Sequence, residues 1–139
     1  MTTHRQLDEQ TRVAGQIFPA DLPGLAAEGV TLIINNRPDG EDEDQPTDAE
    51  IVAAASAAGI HYVHVPIARG MGPTEVEAMR TALHGAGDGK VVAFCRSGNR
   101  SALAWAVARN EDGVPRAELQ QCLAGAGFDL GPVAHLLRD

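Results

Sequence analysis

The stretch from Lys90 to Ala108 constrains the fold more than any other part of the chain. A short apolar run, Val91 to Phe94, has the length and composition of a buried strand. It ends at Cys95, passes through a small polar loop, and continues through Ser101-Ala102-Leu103-Ala104-Trp105-Ala106-Val107-Ala108, a strong helix pattern. A cysteine at such a strand-to-helix turn sits where backbone N–H groups converge. Those groups and the positive end of the helix dipole favour an anion, and they favour a thiolate over a thiol. Arg100 adds a fixed positive charge with a forked set of donors suited to an oxyanion. Ser101 is placed either to donate to the sulfur or to cap the helix. Cys95 is therefore the candidate nucleophile, and the alternative is a buried cysteine behaving as a small hydrophobe.

The remaining segments alternate around this unit. Thr11 to Ile17 reads as a short edge strand, and residues 21–29 as a short helix closed by Gly29. Val30 to Ile34 reads as a central strand that stops at the turn-rich Asn35-Asn36-Arg37-Pro38-Asp39-Gly40. Thr47 and Glu50 form a capping-box pattern at the start of a helix running to Gly59. Ile60 to Val65 is the next strand, and Pro73 to Leu83 the next helix, with Thr74 and Glu77 as a second capping box. Helices are expected over residues 101–108, 114–124 and 131–137, while residues 1–9 read as loosely ordered. The β-α-β alternation predicts an α/β domain with a mainly parallel sheet and helices on both faces. Ligands of such sheets bind outside the carboxyl ends of the strands. Residues 35–40, 66–72 and 95–100 should therefore share one rim.

A chain of 139 residues is expected to form one domain over residues 1–139. The net charge of -8 argues against a nucleic-acid partner or an anionic membrane surface. It leaves room for a small anionic substrate, because a local nest is positive even on an acidic protein. Two cysteines, Cys95 and Cys122, are too few for a disulfide scaffold. With no apolar leader or membrane-spanning run, a reducing cytoplasm is the simplest expected home. Cys122 reads as a packing residue of a C-terminal helix. Nothing in the sequence specifies an oligomeric state.

Other signals are weaker. Arg37 and Asp39 stand at a strand's carboxyl end, where they serve the anion site or simply make a Pro-Asp-Gly turn with a solvated arginine. Arg69 lies on the neighbouring rim loop and would add charge there. His61 and His64, three apart on a strand, face opposite sides of the sheet and do not make a metal pair. No Cys or His cluster has zinc-ligand spacing, and no metal or other cofactor is expected. Gly85, Gly87 and Gly89 precede a strand, where a dinucleotide loop must follow one. The acidic run Glu41 to Asp44 reads as a solvated loop.

Four residues separate Cys95 from Arg100, and the loop Cys95-Arg96-Ser97-Gly98-Asn99-Arg100-Ser101 closely resembles that of rhodanese-like sulfurtransferases. Cysteine phosphatases of the tyrosine and dual-specificity type use a loop one residue longer. Together with Asn35-Asn36-Arg37-Pro38-Asp39-Gly40-Glu41, the segment Val13 to Ile17 and His64-Val65-Pro66, the chain resembles the phosphatase-like domain of beta-lactamase-hydrolase-like proteins. The likeness covers roughly residues 10–110. It implies a fold similar to dual-specificity phosphatases, with a rhodanese-like fold as the alternative. It also implies Cys95 as nucleophile, Arg100 as anion-binding arginine, and N–H groups from Arg96, Ser97, Gly98 and Asn99. A persulfide-metabolising enzyme is the partner that this resemblance suggests.

Two chemistries compete. Phosphate-ester hydrolysis requires an acid to protonate a poor leaving group. Residues 66–72 hold no carboxylate, and Asp39 is the one attractive candidate. Sulfur transfer has no such need, since sulfite or a thiolate leaves readily. The sequence therefore favours a sulfurtransferase passing sulfane sulfur through a Cys95 persulfide to a thiol. A phosphatase working through a phosphocysteine is the alternative, and a non-catalytic anion-binding module is the third.

Overall fold

The computed structural model describes residues 4–139; Met1 to Thr3 lie outside the described residues. Five strands form one sheet in the order β1-β2-β5-β3-β4, where β1 is His4–Gln6, β2 Thr11–Ala14, β3 Val30–Asn35, β4 His61–His64 and β5 Lys90–Phe94. β1 and β2 are antiparallel, and every other pair is parallel. The helices are α1 Leu22–Ala27, α2 Asp48–Ala58, α3 Pro73–Gly85, α4 Asn99–Glu111 and α5 Arg116–Gly125. Short 3-10 segments occupy Pro19–Asp21 and Gly131–Leu136.

Side-chain alternation along the strands divides the interior into two layers. Leu32, Ile34, Val91 and Ala93 point to the layer containing Met79, Leu83, Leu119 and Leu123. Ile33, Val92 and Phe94 point to the other, where Leu22, Leu25, Ile51 and Ala55 pack. Burial on both faces explains why β3 and β5 read as unbroken apolar runs. Every residue of α4 from Ser101 to Ala108 is buried, because this helix lies between the sheet, α3, α5 and the C-terminal 3-10 helix. That surrounds it with protein and removes the need for a polar stripe.

The central α/β expectation is met, and several boundaries differ. The amino-terminal segment is not loose over its described part: His4–Gln6 is an edge strand, so β2 is internal. Asp8 Oδ1 accepts from the backbone N–H groups of Gln10 and Thr11 at 2.9 and 2.7 Å, tightening the hairpin, and Leu7 is buried. Arg5 Nη1 donates to Ala126 O at 3.1 Å, tying the strand to the far end of α5. β2 stops at Ala14, short of the expected Ile17.

The Thr47–Glu50 capping box forms as expected. The second box does not, because Pro73 takes the first helical position and shifts the register. There Glu75, not Glu77, reaches back to accept from Gly72 N–H at 2.8 Å. The expected helix over 114–124 begins two residues later, after Pro115, and the last helix is a 3-10 segment.

Candidate active site

Cys95 follows β5 directly, and its N–H donates to Ala14 O at 3.2 Å, so β2 buttresses the start of the loop. The backing is close: a side-chain Cβ on Gly15 would lie 3.1 Å from Arg96 O. Gly98 turns the chain into α4 at φ +96, a left-handed conformation that glycine adopts without steric cost. That turn aims the Gly98 N–H at Cys95 Sγ, 3.1 Å away. The sulfur is therefore held at the amino end of α4, in a residue only 1% exposed. α4 begins at Asn99, two residues before the expected start.

The other loop positions divide. Asn99 N–H points to Ser97 Oγ at 3.4 Å, and the side chains of Arg96, Ser97 and Asn99 lie in exposed residues. Ser101 Oγ is buried and has no hydrogen-bond partner among the described residues, so it neither donates to the Cys95 sulfur nor caps the helix. Arg69 is exposed on its loop.

Arg100 meets a carboxylate that the sequence hides. Its Nη1 and Nη2 donate to Glu41 Oε2 and Oε1 at 2.7 and 2.8 Å, a bidentate pair, and Nη1 also donates to Ile67 O at 2.7 Å. Arg37 reaches the same carboxylate through Nε at 2.9 Å and donates through Nη1 to Gln16 Oε1 at 2.9 Å. Arg37 is not solvated; its side chain is 5% exposed. Glu41 is thus the shared anion of two arginines. The Arg100 hydrogen bonds, reinforced by Arg37, outweigh its partial desolvation and lower its pKa from 4.5 to about 2. The same bond to Glu41 raises Arg100 above its already high value, with the Cys95 sulfur adding to the shift.

This corrects the reading of Glu41 as part of a solvated acidic loop. The Arg37–Glu41 spacing of four was the available signal, and the neighbouring acidic residues masked it. Gln16 was likewise missed. Asp39, the sequence's candidate acid, is exposed and its Oδ1 accepts from Asp48 N–H at 2.8 Å, so it caps α2.

A second layer fixes the loop after β3. Arg37 N–H donates to Asn35 Oδ1 at 2.8 Å, and Asn35 Nδ2 donates to Tyr62 Oη at 2.9 Å. Tyr62 donates in turn to Asp48, and burial together with that bond raises its pKa. His64 Nε2 lies 2.9 Å from Arg37 O and its Nδ1 3.4 Å from Asp48 Oδ1, so the ring bridges the loop after β3 and the start of α2. Asn36 Nδ2 donates to Val65 O at 2.9 Å and joins the loops after β3 and β4. All three rim loops therefore converge as the topology requires. Cys122 lies apart on α5, half-buried against the core, and burial raises its thiol pKa. Among the described residues, no three His, Cys, Asp or Glu side chains are grouped to hold a metal ion.

Residues 3–112 match the family described as beta-lactamase hydrolase-like protein, phosphatase-like domain. The chain belongs to this family. A beta-lactamase hydrolase-like protein of Agrobacterium fabrum is 36% identical over 129 residues, covering 90% of this chain and 29% of the relative. A counterpart in Xylella fastidiosa is 33% identical over 134 residues, covering 95% of this chain and 31% of the relative. The chain thus spans under a third of the length of these curated relatives. A solved structure of a candidate phosphatase from Neisseria meningitidis superposes with a TM-score of 0.74 at 35% identity, covering 91% of this chain and 89% of that one. The fold is that of cysteine phosphatases: kinase-associated phosphatase, at 17% identity, superposes with a TM-score of 0.70 over 93% of this chain. Among the described residues, no helix is long and apolar enough to cross a membrane.

Proposed function

We propose that this phosphatase-like domain hydrolyses phosphate monoesters or anhydrides through Cys95, with substrates whose leaving groups depart without a proton. The observation that carries the reading is the cradle itself, Gly98 N–H on Cys95 Sγ with Arg100 held across the loop, on a cysteine-phosphatase fold. The Cys95 thiolate attacks phosphorus opposite the leaving oxygen. An S–P bond forms, the P–O bond breaks, and the leaving group departs with the bonding electrons. Arg100 and the loop amides stabilise the charge on the transferring group. Water then attacks the phosphocysteine, releasing inorganic phosphate and restoring the thiolate.

The leaving-group restriction follows from the carboxylates. Glu41, with its pKa near 2, has no proton to give at neutral pH. Asp39 is engaged at the start of α2. Aryl and acyl phosphates suit a site without a proton donor.

The sequence favours sulfur transfer, and one observation keeps it as a second reading. The four-residue spacing between Cys95 and Arg100 makes a tight ring suited to a single sulfur atom. Here Cys95 would attack the outer sulfur of thiosulfate, expel sulfite and carry a persulfide to an acceptor thiol.

One paired experiment separates these. Steady-state hydrolysis of an aryl phosphate is measured alongside intact mass after thiosulfate. Phosphate release lost in Cys95→Ser supports hydrolysis. A gain of one sulfur on Cys95, reversed by a thiol and without aryl-phosphate turnover, replaces it with sulfur transfer. Binding of either anion with no turnover and no adduct would leave only an anion-binding module.

A further inference from the structure

Among the described residues the sheet has two edges, and they are finished differently. β1, at one edge, is three residues long and carries Arg5, whose Nη1 is tied to Ala126 O at 3.1 Å. A short, charged strand of this kind resists pairing with another chain. β4, at the other edge, reads His61-Tyr62-Val63-His64, with no lysine, arginine or proline to blunt it. Beside it an open groove of about 820 Å³ runs between β4 and α3, with apolar walls from Leu32, Val63, Ala78 and Ala82. The titratable side chains that line it are His61 and Glu77, and they stand at opposite ends. His61 opens β4 at the end away from the rim. Glu77 lies in the second turn of α3, which starts after the rim loop and runs back antiparallel to the parallel strands β4 and β5. The Glu77 side chain is 66% exposed and accepts from Arg80 Nη1 at 3.0 Å. The His61 side chain has no hydrogen-bond or ion-pair partner among the described residues.

We propose that this edge and groove are the interface for a second copy of the chain, with β4 pairing antiparallel to β4 about a twofold axis normal to the sheet. Such an axis keeps both α3 helices on one face and joins the two grooves into a single apolar layer, which is the fate expected of an exposed apolar surface. It also reverses the ends. His61 of each copy then lies toward Glu77 of the other, so one His–Glu combination is made twice. This self-complementarity is what favours a second copy over other occupants. An unrelated partner would have to bring both groups itself, and a small apolar ligand would not pair with the outward N–H and C=O groups of β4. The inference is independent of the chemistry at Cys95, which follows β5 on the far side of β3.

Sedimentation equilibrium over a concentration series tests this with the wild-type chain, His61→Asp, Glu77→Lys and an equimolar mixture of the two variants. Both positions are exposed, and thermal melts confirm that each variant is folded. The wild type should reach the mass of a dimer as concentration rises. His61→Asp sets two carboxylates against each other at both contacts, and Glu77→Lys sets a cation against His61. Each should therefore weaken self-association at least about tenfold. In the mixture the new aspartate of one variant meets the new lysine of the other, and the natural His–Glu pair survives at the second contact. Mixing should therefore restore the dimer. A wild type that stays monomeric throughout overturns the proposal and leaves the groove to another occupant. Association that neither variant weakens, or that mixing does not restore, places the contact elsewhere and overturns it as well.

Discussion

Among the described residues, two clusters have one carboxylate joining two basic side chains, and they occupy different parts of the fold. At the rim, Glu41 joins Arg37 of its own loop after β3 to Arg100 at the start of α4. On the helical face, Asp112 accepts from Arg80 Nε at 2.9 Å and contacts His84 Nε2 at 2.8 Å, tying α3 to the end of α4. In both, the carboxylate pKa is lowered: for Asp112, His84 and Arg80 together outweigh burial. The surroundings differ. Arg37 is almost fully buried, whereas the Arg80 side chain is 29% exposed and His84 more so. The same ion chemistry holds Arg100, the arginine that the proposed hydrolysis uses, in one place and fastens α3 to the end of α4 in the other.

Breaking the rim at its nucleophile should give the largest effect. Cys95→Ser is expected to lower kcat by at least about 10³-fold while leaving the melting temperature nearly unchanged, checked by steady-state kinetics and calorimetry. Glu41→Gln removes the bidentate anchor without adding bulk. Arg100 then keeps the Ile67 carbonyl but loses its two-point anchor, and kcat/KM should fall about 10- to 100-fold through misplacement of the guanidinium. Asp112→Asn is the matched change on the helical face. It should lower the melting temperature by roughly a few degrees with kcat/KM unchanged. Equal catalytic losses in Glu41→Gln and Asp112→Asn would erase the distinction between the clusters.

The smallest effect is one of pH. The folded pKa of Glu41 is depressed, so its pairing stabilises the fold above its ordinary value of 4.5 and is lost as pH falls toward about 2. The melting-temperature difference between wild type and Glu41→Gln should therefore be constant from neutrality down to about pH 5 and vanish near pH 2. A difference that changes between pH 6 and 8 would show that another group controls the pair.

Much of the site was legible because it is local. Cys95, Gly98 and Arg100 lie in one strand-loop-helix unit, where the path of the backbone aims the N–H groups whatever surrounds it. Glu41 was not legible, since its partner Arg100 is 59 residues away and nothing in an acidic loop distinguishes the carboxylate that meets it. The contact of Asp39 was hidden for a similar reason: its sequence neighbours suggested the rim, and its oxygen also meets the amino end of α2. The edge strand at His4–Gln6 escaped because its polar residues pair on only one side and carry no apolar alternation.

The sequence by itself determined the parallel α/β order, the strand ends that form the rim, and the cysteine that sits there, because hydrophobic period and turn chemistry act over a few residues. Only the tertiary structure decided which carboxylate and which carbonyl hold Arg100. Those contacts join segments far apart in the chain, and they exist only once the sheet has brought its three strand ends together.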